Sequence, residues 1–230
     1  MGDVVTRQVV LATNNAKKLA ELRRVVADAV RKGAAPDIEV LGLVDVAPYP
    51  EPAETEPTFE GNALIKARVC AAQTGLPALA DDSGIEVDVL NNMPGVRSAR
   101  WAGTPTDAEA NNALLLRQID DVPADQRGAR FVCAMAFVLP GDRGRVDHGE
   151  VDHEQVIRGT MAGRVLNELR GSGGFGYDPL FQPAGEERSL AELSAEEKDA
   201  ISHRGQAVRA IVPLLVVALS QGAHTVPKES

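Results

Sequence analysis

Four consecutive residues, Asp81-Asp82-Ser83-Gly84, carry the most specific chemical information in this chain. Residues 76–80 form an apolar run that predicts a buried strand, and residues 85–89 alternate like a half-buried one. We therefore expect two neighbouring carboxylates where one strand gives way to another, with Gly84 flexible at the bend. Like charges repel, and Mg²⁺ would remove that cost because it prefers one or two carboxylates together with substrate phosphates. The dipeptide alone would favour a solvated Asp-Asp turn.

A second stretch, which follows the first predicted strand, suits a phosphate chain. A strand that turns into a helix directs free backbone N–H groups and the positive end of the helix dipole at one point. The stretch consists of Thr13, Asn14, Asn15, Ala16, Lys17 and Lys18. It lacks the Gly-rich run of a Walker loop, and an ordinary Asn-capped helix with solvated lysines explains it better when it is taken alone.

A third stretch combines glycines with aromatic and acidic residues. Glycines at 171, 173, 174 and 176 let a backbone approach a flat ligand closely. Beside Gly176, the rings of Phe175 and Tyr177 could stack on a base while Asp178 hydrogen-bonds its edge. A mobile surface loop with an aromatic plug at its end explains the same residues equally well.

Two further groups of polar residues belong to predicted helices. Positive charge on His203 and Arg204 would oppose the dipole of the last helix, which indicates a ligand that offsets the cost. Lys198, shortly before them, lies in a charged run and would usually be solvated. Asn62 and Lys66 share one helical face, and such a pair is most often simply exposed to water.

The elements that must position these residues alternate along the chain. The predicted strands are residues 9–12, 37–43, 76–80, 85–89, 130–139 and 146–157. The predicted helices are residues 15–30, 59–73, 106–119 and 202–220, with Thr58 and Ser202 as caps and a capping box at residues 106–109. Long antiparallel segments in the middle indicate an α/β fold with an elongated, mixed central sheet and flanking helices.

Composition narrows the class of protein. The chain has 230 residues, 44% of them hydrophobic, and a formal net charge of −9, which argues against a general nucleic-acid binder. No run is apolar enough for a membrane span, no signal peptide is visible, and two cysteines in apolar surroundings suggest free thiols. We expect a cytoplasmic protein with no membrane or nucleic-acid partner, one domain over residues 1–220 and a flexible tail at 221–230.

Together the motifs resemble those of the inosine triphosphate pyrophosphatase family, whose members cleave non-standard purine nucleoside triphosphates to monophosphate and pyrophosphate. The resemblance covers residues 9–210 and includes motifs at 13–18, 54, 58–66, 81–84, 94–100, 173–179 and 197–204. One departure is Glu60-Gly61-Asn62, where bacterial members usually have a residue followed by Glu-Asn. Compared with those members, the acidic residue Glu60 is therefore displaced by one position.

The resemblance implies two lobes around a nucleotide-binding cleft, a homodimer and a Mg²⁺ cofactor. It implies that residues 13–18 hold the triphosphate, that Glu54 and Asp82 bind the metal, and that Asp82 is also the general base. Ser83 would contact the substrate. The base pocket would be formed by Phe175, Gly176, Tyr177, Asp178, Lys198, His203 and Arg204.

The chemistry of the side chains agrees with these roles. Lys18 and Lys66 can neutralise phosphates, and a carboxylate can direct water at the α-phosphorus. Arg204 only donates hydrogen bonds, so it favours a 6-oxo purine over the 6-amino group of adenine. Two alternatives are a Maf-like pyrophosphatase that acts on other nucleotides and a nucleotide sensor without hydrolytic activity.

Overall fold

The computed structural model describes residues 7–31, 38–140 and 151–221 of the chain. Within these residues, one seven-stranded sheet forms the centre of the molecule. Its strands are β1 (Arg7–Leu11), β2 (Ile38–Gly42), β3 (Ala78–Val87), β4 (Met93–Pro94), β5 (Gly128–Pro140), β6 (Val151–Val165) and β7 (Phe181–Pro183). Their order is β2-β1-β3-β5-β6-β7, and the short β4 pairs with β3.

The α-helices flank this sheet, and the predicted caps account for two of their starts. The helices are α1 (Ala16–Arg31), α2 (Phe59–Thr74), α3 (Ala108–Gln118), α4 (Ala195–Ile201) and α5 (His203–Gln221). Thr58 caps α2, and the Ser202 hydroxyl accepts the Gly205 N–H 2.9 Å away at the start of α5. No helix in the described parts of the chain is long and apolar enough to cross a membrane.

The start of α3 differs from the prediction. The cap is Asp107, one residue later than the predicted capping box at Thr106. The Asp107 carboxylate accepts the N–H groups of both Glu109 and Ala110, so a single acid satisfies two unpaired donors of the first turn.

The sheet is mixed and elongated, as predicted. β1 runs parallel to β2 and β3, whereas β3, β5 and β6 are antiparallel neighbours. The two long antiparallel segments form a hairpin of β5 and β6. The turn predicted at residues 140–142 lies outside the described residues apart from Pro140, and so do residues 146–150 of the second predicted strand. β6 continues past the predicted end at residue 157, because Gly159 lets α5 pack directly on the strand. A Cβ at Gly159 would lie 2.9 Å from the Ala207 nitrogen.

Apolar clusters cover both faces of the sheet and one end of the hairpin. On one face, α1 and α5 pack over β1, β2 and part of β5. On the opposite face, Ala63, Ala67 and Ala71 let α2 approach closely. A third cluster, around α3 and β7, fills the far end of the hairpin and forms the second of the two predicted lobes. The predicted tail lies outside the described residues, apart from Gln221 at the end of α5.

The predicted bend at residues 81–84 is wrong. β3 is one continuous strand, in which Asp81 pairs with Met135 and Asp82 with Ala134. Successive side chains of a strand point to opposite faces, so the two carboxylates are separated by the sheet and do not lie side by side. Gly84 is needed for close approach, since an added Cβ would collide with the Ser98 hydroxyl and lie 2.7 Å from the Gly95 oxygen.

Candidate active site

Asp81 is the centre of a charged cluster on the face that α1 and α5 cover. Lys18 Nζ lies 3.0 and 2.8 Å from its two carboxylate oxygens, and Arg204 Nε lies 3.4 Å away. The Ser83 hydroxyl donates to the same carboxylate over 3.2 Å. We call Asp81, Lys18, Ser83 and Arg204 the Asp81 cluster.

Asp81 stays ionised at any ordinary pH. Burial alone would raise the pKa of its carboxyl group, but the charges of Lys18 and Arg204 outweigh burial and hold the pKa well below its usual range. Cys133 lies on the same face, and burial together with the charge of Asp81 raises the pKa of its thiol to about 12. Asp81 therefore acts as an anchor for two cations rather than as an acid or base.

The turn before α1 holds Lys18 in place. The Asn15 amide oxygen accepts the Lys18 N–H over 3.3 Å, and the Thr13 hydroxyl accepts the Asn15 N–H over 3.2 Å. This confirms the predicted Asn cap. Asn14 is exposed, and α1 begins at Ala16 and continues through Lys17. The turn thus combines helix N–H groups and a lysine, although its role as a triphosphate site stays a prediction.

Asp82 belongs to a separate group on the face that α2 covers. Lys66 Nζ lies 3.0 Å from Glu54 Oε1 and 3.5 Å from Asp82 Oδ1. Arg100 Nη1 donates to Glu54 Oε2 over 3.2 Å, and Asn62 Nδ2 donates to Asp82 Oδ2 over 3.2 Å. We call Asp82, Glu54, Asn62, Lys66 and Arg100 the Asp82 cluster.

The two acids of the Asp82 cluster have opposite pKa shifts. Burial raises the pKa of Asp82, and the charge of Glu54 raises it further, although Lys66 and Asn62 offset part of the shift. For Glu54, burial also raises the pKa, but Lys66 and Arg100 outweigh it and the net shift is downward. Asp82 is therefore the acid of this pair that is better suited to accept a proton.

Sequence reasoning missed the contribution of Asn62 and Arg100. Asn62 is fully buried, whereas the sequence alone favoured a solvated pair with Lys66. Its amide oxygen accepts the Glu56 N–H over 3.0 Å, which orients its nitrogen towards Asp82. The alanines of α2 were the available signal, because a helix with a small-residue face lies close to the sheet and buries its polar neighbours.

The glycine loop, residues 171–178, holds an exposed aromatic ring. Phe175 is 61% exposed, and Lys198 Nζ lies 4.8 Å from the centre of its ring. The Asp178 carboxylate accepts the Phe175 N–H over 2.7 Å and forms an ion pair with Lys198. Phe175, Asp178 and Lys198 are therefore brought together as predicted, with one face of the ring available for stacking.

Tyr177 and Gly176 have different positions in the same loop. Tyr177 is buried in the core of the second lobe, and its hydroxyl donates to the Ser98 carbonyl over 2.9 Å. Gly176 adopts φ +61°, a conformation that favours glycine. A direct contact of Tyr177 or Gly176 with a nucleotide base stays a prediction. The structure shows what each residue does within the protein: Tyr177 bonds to Ser98, and Gly176 forms the turn.

His203 does not carry the predicted positive charge. Burial lowers its pKa to about 3, and the charges of Arg204 and Lys198 lower it further. Its ring stacks on Phe131, with the centroids 5.1 Å apart. Only Arg204 is cationic at the start of α5, and its pairing with Asp81 offsets the opposing helix dipole.

The described residues thus place cations around a buried acid, Asp81, and a half-buried one, Asp82, on opposite faces of one strand. The clusters are coupled, because the charge of Lys66 also contributes to the low pKa of Asp81. A cavity of about 140 Å³ lies beside Lys66 and Asn14. This fold and charge arrangement define an α/β protein suited to an anionic ligand that carries a divalent cation, such as a nucleotide polyphosphate.

Comparison with known proteins identifies the family. The Ham1 family model matches residues 9–214, so the chain belongs to the Ham1 family. A dITP/XTP pyrophosphatase of Cutibacterium acnes is 54% identical over 92% of this chain and 98% of its own length. The dITP/XTP pyrophosphatase of Mycobacterium tuberculosis is 50% identical over 90% of this chain and 95% of its own.

Solved structures agree with this membership. The Staphylococcus aureus Ham1 protein superposes with a TM-score of 0.78 at 32% identity, over 91% of this chain and 98% of the other. A nucleoside-triphosphatase, also described as a dITP/XTP pyrophosphatase, from Mycobacterium abscessus gives a TM-score of 0.72 at 48% identity, over 90% and 99%. The predicted fold and family are both confirmed.

The neutral state of His203 predicts a pH dependence of stability. Its pKa is lower in the folded protein than the ordinary value of about 6.5, so the unfolded chain binds the proton more readily. The contribution of His203 is therefore complete above about pH 6.5 and is lost as the pH falls towards 3. Urea unfolding of the wild type and of His203→Gln at pH 4.5 and 7.5 measures it.

We expect the free energy of unfolding of the wild type to fall by about 2 kcal/mol more than that of His203→Gln over this range, since each unit of pKa shift is worth about 1.4 kcal/mol. Equal losses in the two proteins would show that His203 is not held neutral by the fold.

Proposed function

We propose that this protein hydrolyses non-standard purine nucleoside triphosphates (ITP, dITP and XTP) to the monophosphate and pyrophosphate, and so cleanses the nucleotide pool. The observation that carries the proposal is the pair of clusters around Asp81 and Asp82, beside a loop that exposes an aromatic ring. The relatives' name, dITP/XTP pyrophosphatase, supports the same activity and two of the three substrates. A Maf-like specificity receives no support from the family match.

A divalent cation, which we propose to be Mg²⁺, fits the Asp82 cluster. Glu54 and Asp82 converge on the ammonium group of Lys66, so their oxygens already surround a positive charge. Two carboxylates are what Mg²⁺ usually takes from a protein when substrate phosphates supply further ligands. When bound, the ion would neutralise charge that develops on the transferring phosphoryl group.

The chain's own residues then have separable tasks in the reaction. Lys18 and the N–H groups at the start of α1 bind phosphate oxygens, and Lys66 neutralises charge beside Asp82. Asp82, whose pKa burial raises, accepts a proton from the attacking water. Ser83 lies beside Lys18, where it can donate to the same substrate group.

Base selection is assigned to the glycine loop together with Lys198 and Arg204. Phe175 stacks on the purine, and Asp178 and Lys198 hold the ring in position. Arg204 Nε is committed to Asp81, whereas its Nη groups have no hydrogen-bond partner among the described residues. These free donors suit the 6-oxo group of hypoxanthine or xanthine and oppose the amino group of adenine. His203, as a neutral imidazole, packs behind this site.

Three further properties follow from the family resemblance and are part of the proposal. These are a homodimeric assembly, a cytoplasmic location and a single domain over residues 1–220. The continuous sheet beneath all three apolar clusters supports the single domain.

The proposed reaction is tested with a panel of triphosphates. With Mg²⁺ we expect pyrophosphate from ITP, dITP and XTP, little from ATP, and no activity in excess chelator, because both acids of the Asp82 cluster then lack their ion. Pyrophosphate and orthophosphate are assayed separately. Stepwise release of orthophosphate, full activity in chelator, or tight binding without any product would each contradict the proposal, the last in favour of a sensor.

The role of Asp82 is tested against its neighbour. Asp82→Asn keeps the shape but loses the negative charge and the base, so we expect a normal melting curve and turnover below about 1% of the wild type. Asp81→Asn is the matched variant on the opposite face. It should lower the melting temperature, because Lys18 and Arg204 then lose their buried partner. Near-normal turnover in Asp82→Asn would remove Asp82 from the mechanism.

Specificity is tested with Arg204→Ala and Lys18→Ala. Both variants remove one cation from Asp81, so any effect of that loss is common to the two. Arg204→Ala should reduce the preference for ITP over ATP by about 1–3 kcal/mol, because it removes a donor that only a 6-oxo purine can use. Lys18→Ala should weaken all triphosphates by a similar factor.

The measurement is kcat/KM for ITP, GTP and ATP in both variants and the wild type. GTP is informative because guanine shares the 6-oxo group and differs at its 2-amino edge. If Arg204→Ala lowers all three values equally, the assignment of Arg204 to the base pocket is wrong.

A further inference from the structure

Ser98 connects the glycine loop to the central strand. Ser98 is buried, and its carbonyl accepts the Tyr177 hydroxyl over 2.9 Å. Its own hydroxyl accepts the Ile85 N–H over 2.9 Å and donates to the Gly95 carbonyl over 2.6 Å. Tyr177 is thereby joined to β3 only three residues beyond Asp82.

Two adjacent asparagines of α3 strengthen the same connection. Asn112 Nδ2 donates to the Gly176 carbonyl over 3.0 Å, so α3 holds the glycine loop next to Tyr177. Asn111 Nδ2 donates to the Ala99 carbonyl over 3.0 Å, one residue after Ser98. Both asparagines are buried, and buried polar groups give up such bonds only at a cost of about 1–3 kcal/mol each.

The segment that receives these bonds ends at the Asp82 cluster. Gly95–Arg100 is a 3₁₀ helix, and its last residue, Arg100, donates to Glu54. Ser98 and Arg100 are two residues apart in this short helix, so a shift of one carries the other with it. Glu54 is one of the two carboxylates assigned to the divalent cation.

We propose that Tyr177 and Arg100 are positioning residues, which couple occupation of the base pocket to the geometry of Glu54 through the helix Gly95–Arg100. The inference rests on the proposed function and adds to it a physical link between base recognition and the metal-binding carboxylates. A correct purine that settles against the glycine loop stabilises the bonded arrangement, and an incorrect purine leaves Glu54 less well held. Correct and incorrect purines then differ in the rate of the hydrolysis step as well as in binding affinity.

Binding linkage tests the coupling without turnover. The probes are Mn²⁺, in place of Mg²⁺, and two nucleoside monophosphates, dIMP and dAMP, which share a phosphate and differ in the base. Because coupling between two sites is reciprocal, the base that fits should tighten Mn²⁺ binding. In the wild type we expect Mn²⁺ to bind about fivefold more tightly with dIMP than with dAMP, as measured by calorimetry.

Two variants break the connection at opposite ends. Tyr177→Phe keeps the buried ring and removes only the hydroxyl, whereas Arg100→Gln removes the ion pair with Glu54. We expect the dIMP-to-dAMP ratio of Mn²⁺ affinities to fall towards one in both. Ser189→Ala is the matched control, because it also removes one buried hydroxyl, whose bond to the Arg170 carbonyl holds the start of the glycine loop but is made to neither Ser98 nor Glu54.

The outcomes separate the inference from the proposed function. A ratio near one in the wild type, or a wild-type ratio retained in Tyr177→Phe and Arg100→Gln, overturns the coupling even when dITP is hydrolysed normally. A ratio lost equally in Ser189→Ala also overturns it, since loosening the glycine loop would then be sufficient. Absence of pyrophosphate release from dITP in the wild type contradicts the proposed function instead.

Discussion

A buried carboxylate next to a half-buried one in β3 is the constraint on which the rest of this structure depends. Neither Asp81 nor Asp82 keeps its charge there without a cation, because desolvation of an unpaired carboxylate costs several kcal/mol. The strand directs them to opposite faces, so one helix layer cannot serve both. Each face is therefore covered by an element that supplies a lysine: α1 with Lys18 on one side and α2 with Lys66 on the other.

The two faces supply cations to the two acids differently. The pKa of Asp81 is therefore lowered, whereas the pKa of Asp82 is raised. Asp81 has two cations to itself and remains ionised. Asp82 shares Lys66 with Glu54, and the second cation of this cluster, Arg100, pairs with Glu54. Asp82 is therefore the more weakly paired acid, and in a chain with a net charge of −9 a divalent ion that brings its own anionic ligand would complete its pairing. This asymmetry makes Asp81 a structural anchor and supports the role in the reaction that we propose for Asp82.

Much of the fold was predictable from local signals, because caps and periodicity act over a few residues. Thr58 and Ser202 cap the helices as expected, and the long antiparallel segments form the predicted mixed sheet. The bend predicted at residues 81–84 is wrong although Asp, Ser and Gly are typical of turns. Here distant lysines and the close approach of Ser98 to Gly84 override that preference. Asn62 and His203 were misjudged for the same reason, because the packing that buries them comes from remote segments.

What the sequence could not show is which residues meet across the molecule, and these pairings connect the two halves of the site. The motifs supply Glu54, Ser98 with Arg100, and Tyr177 in three separate stretches, with no pattern that joins them. A buried tyrosine hydroxyl requires a partner, and its acceptor in this fold is the Ser98 carbonyl, in the helix that ends at Arg100. The requirement to satisfy one buried donor therefore ties the loop beside the aromatic ring to Glu54 of the Asp82 cluster. Under the proposed function, base recognition and a metal-binding carboxylate share this hydrogen-bonded frame.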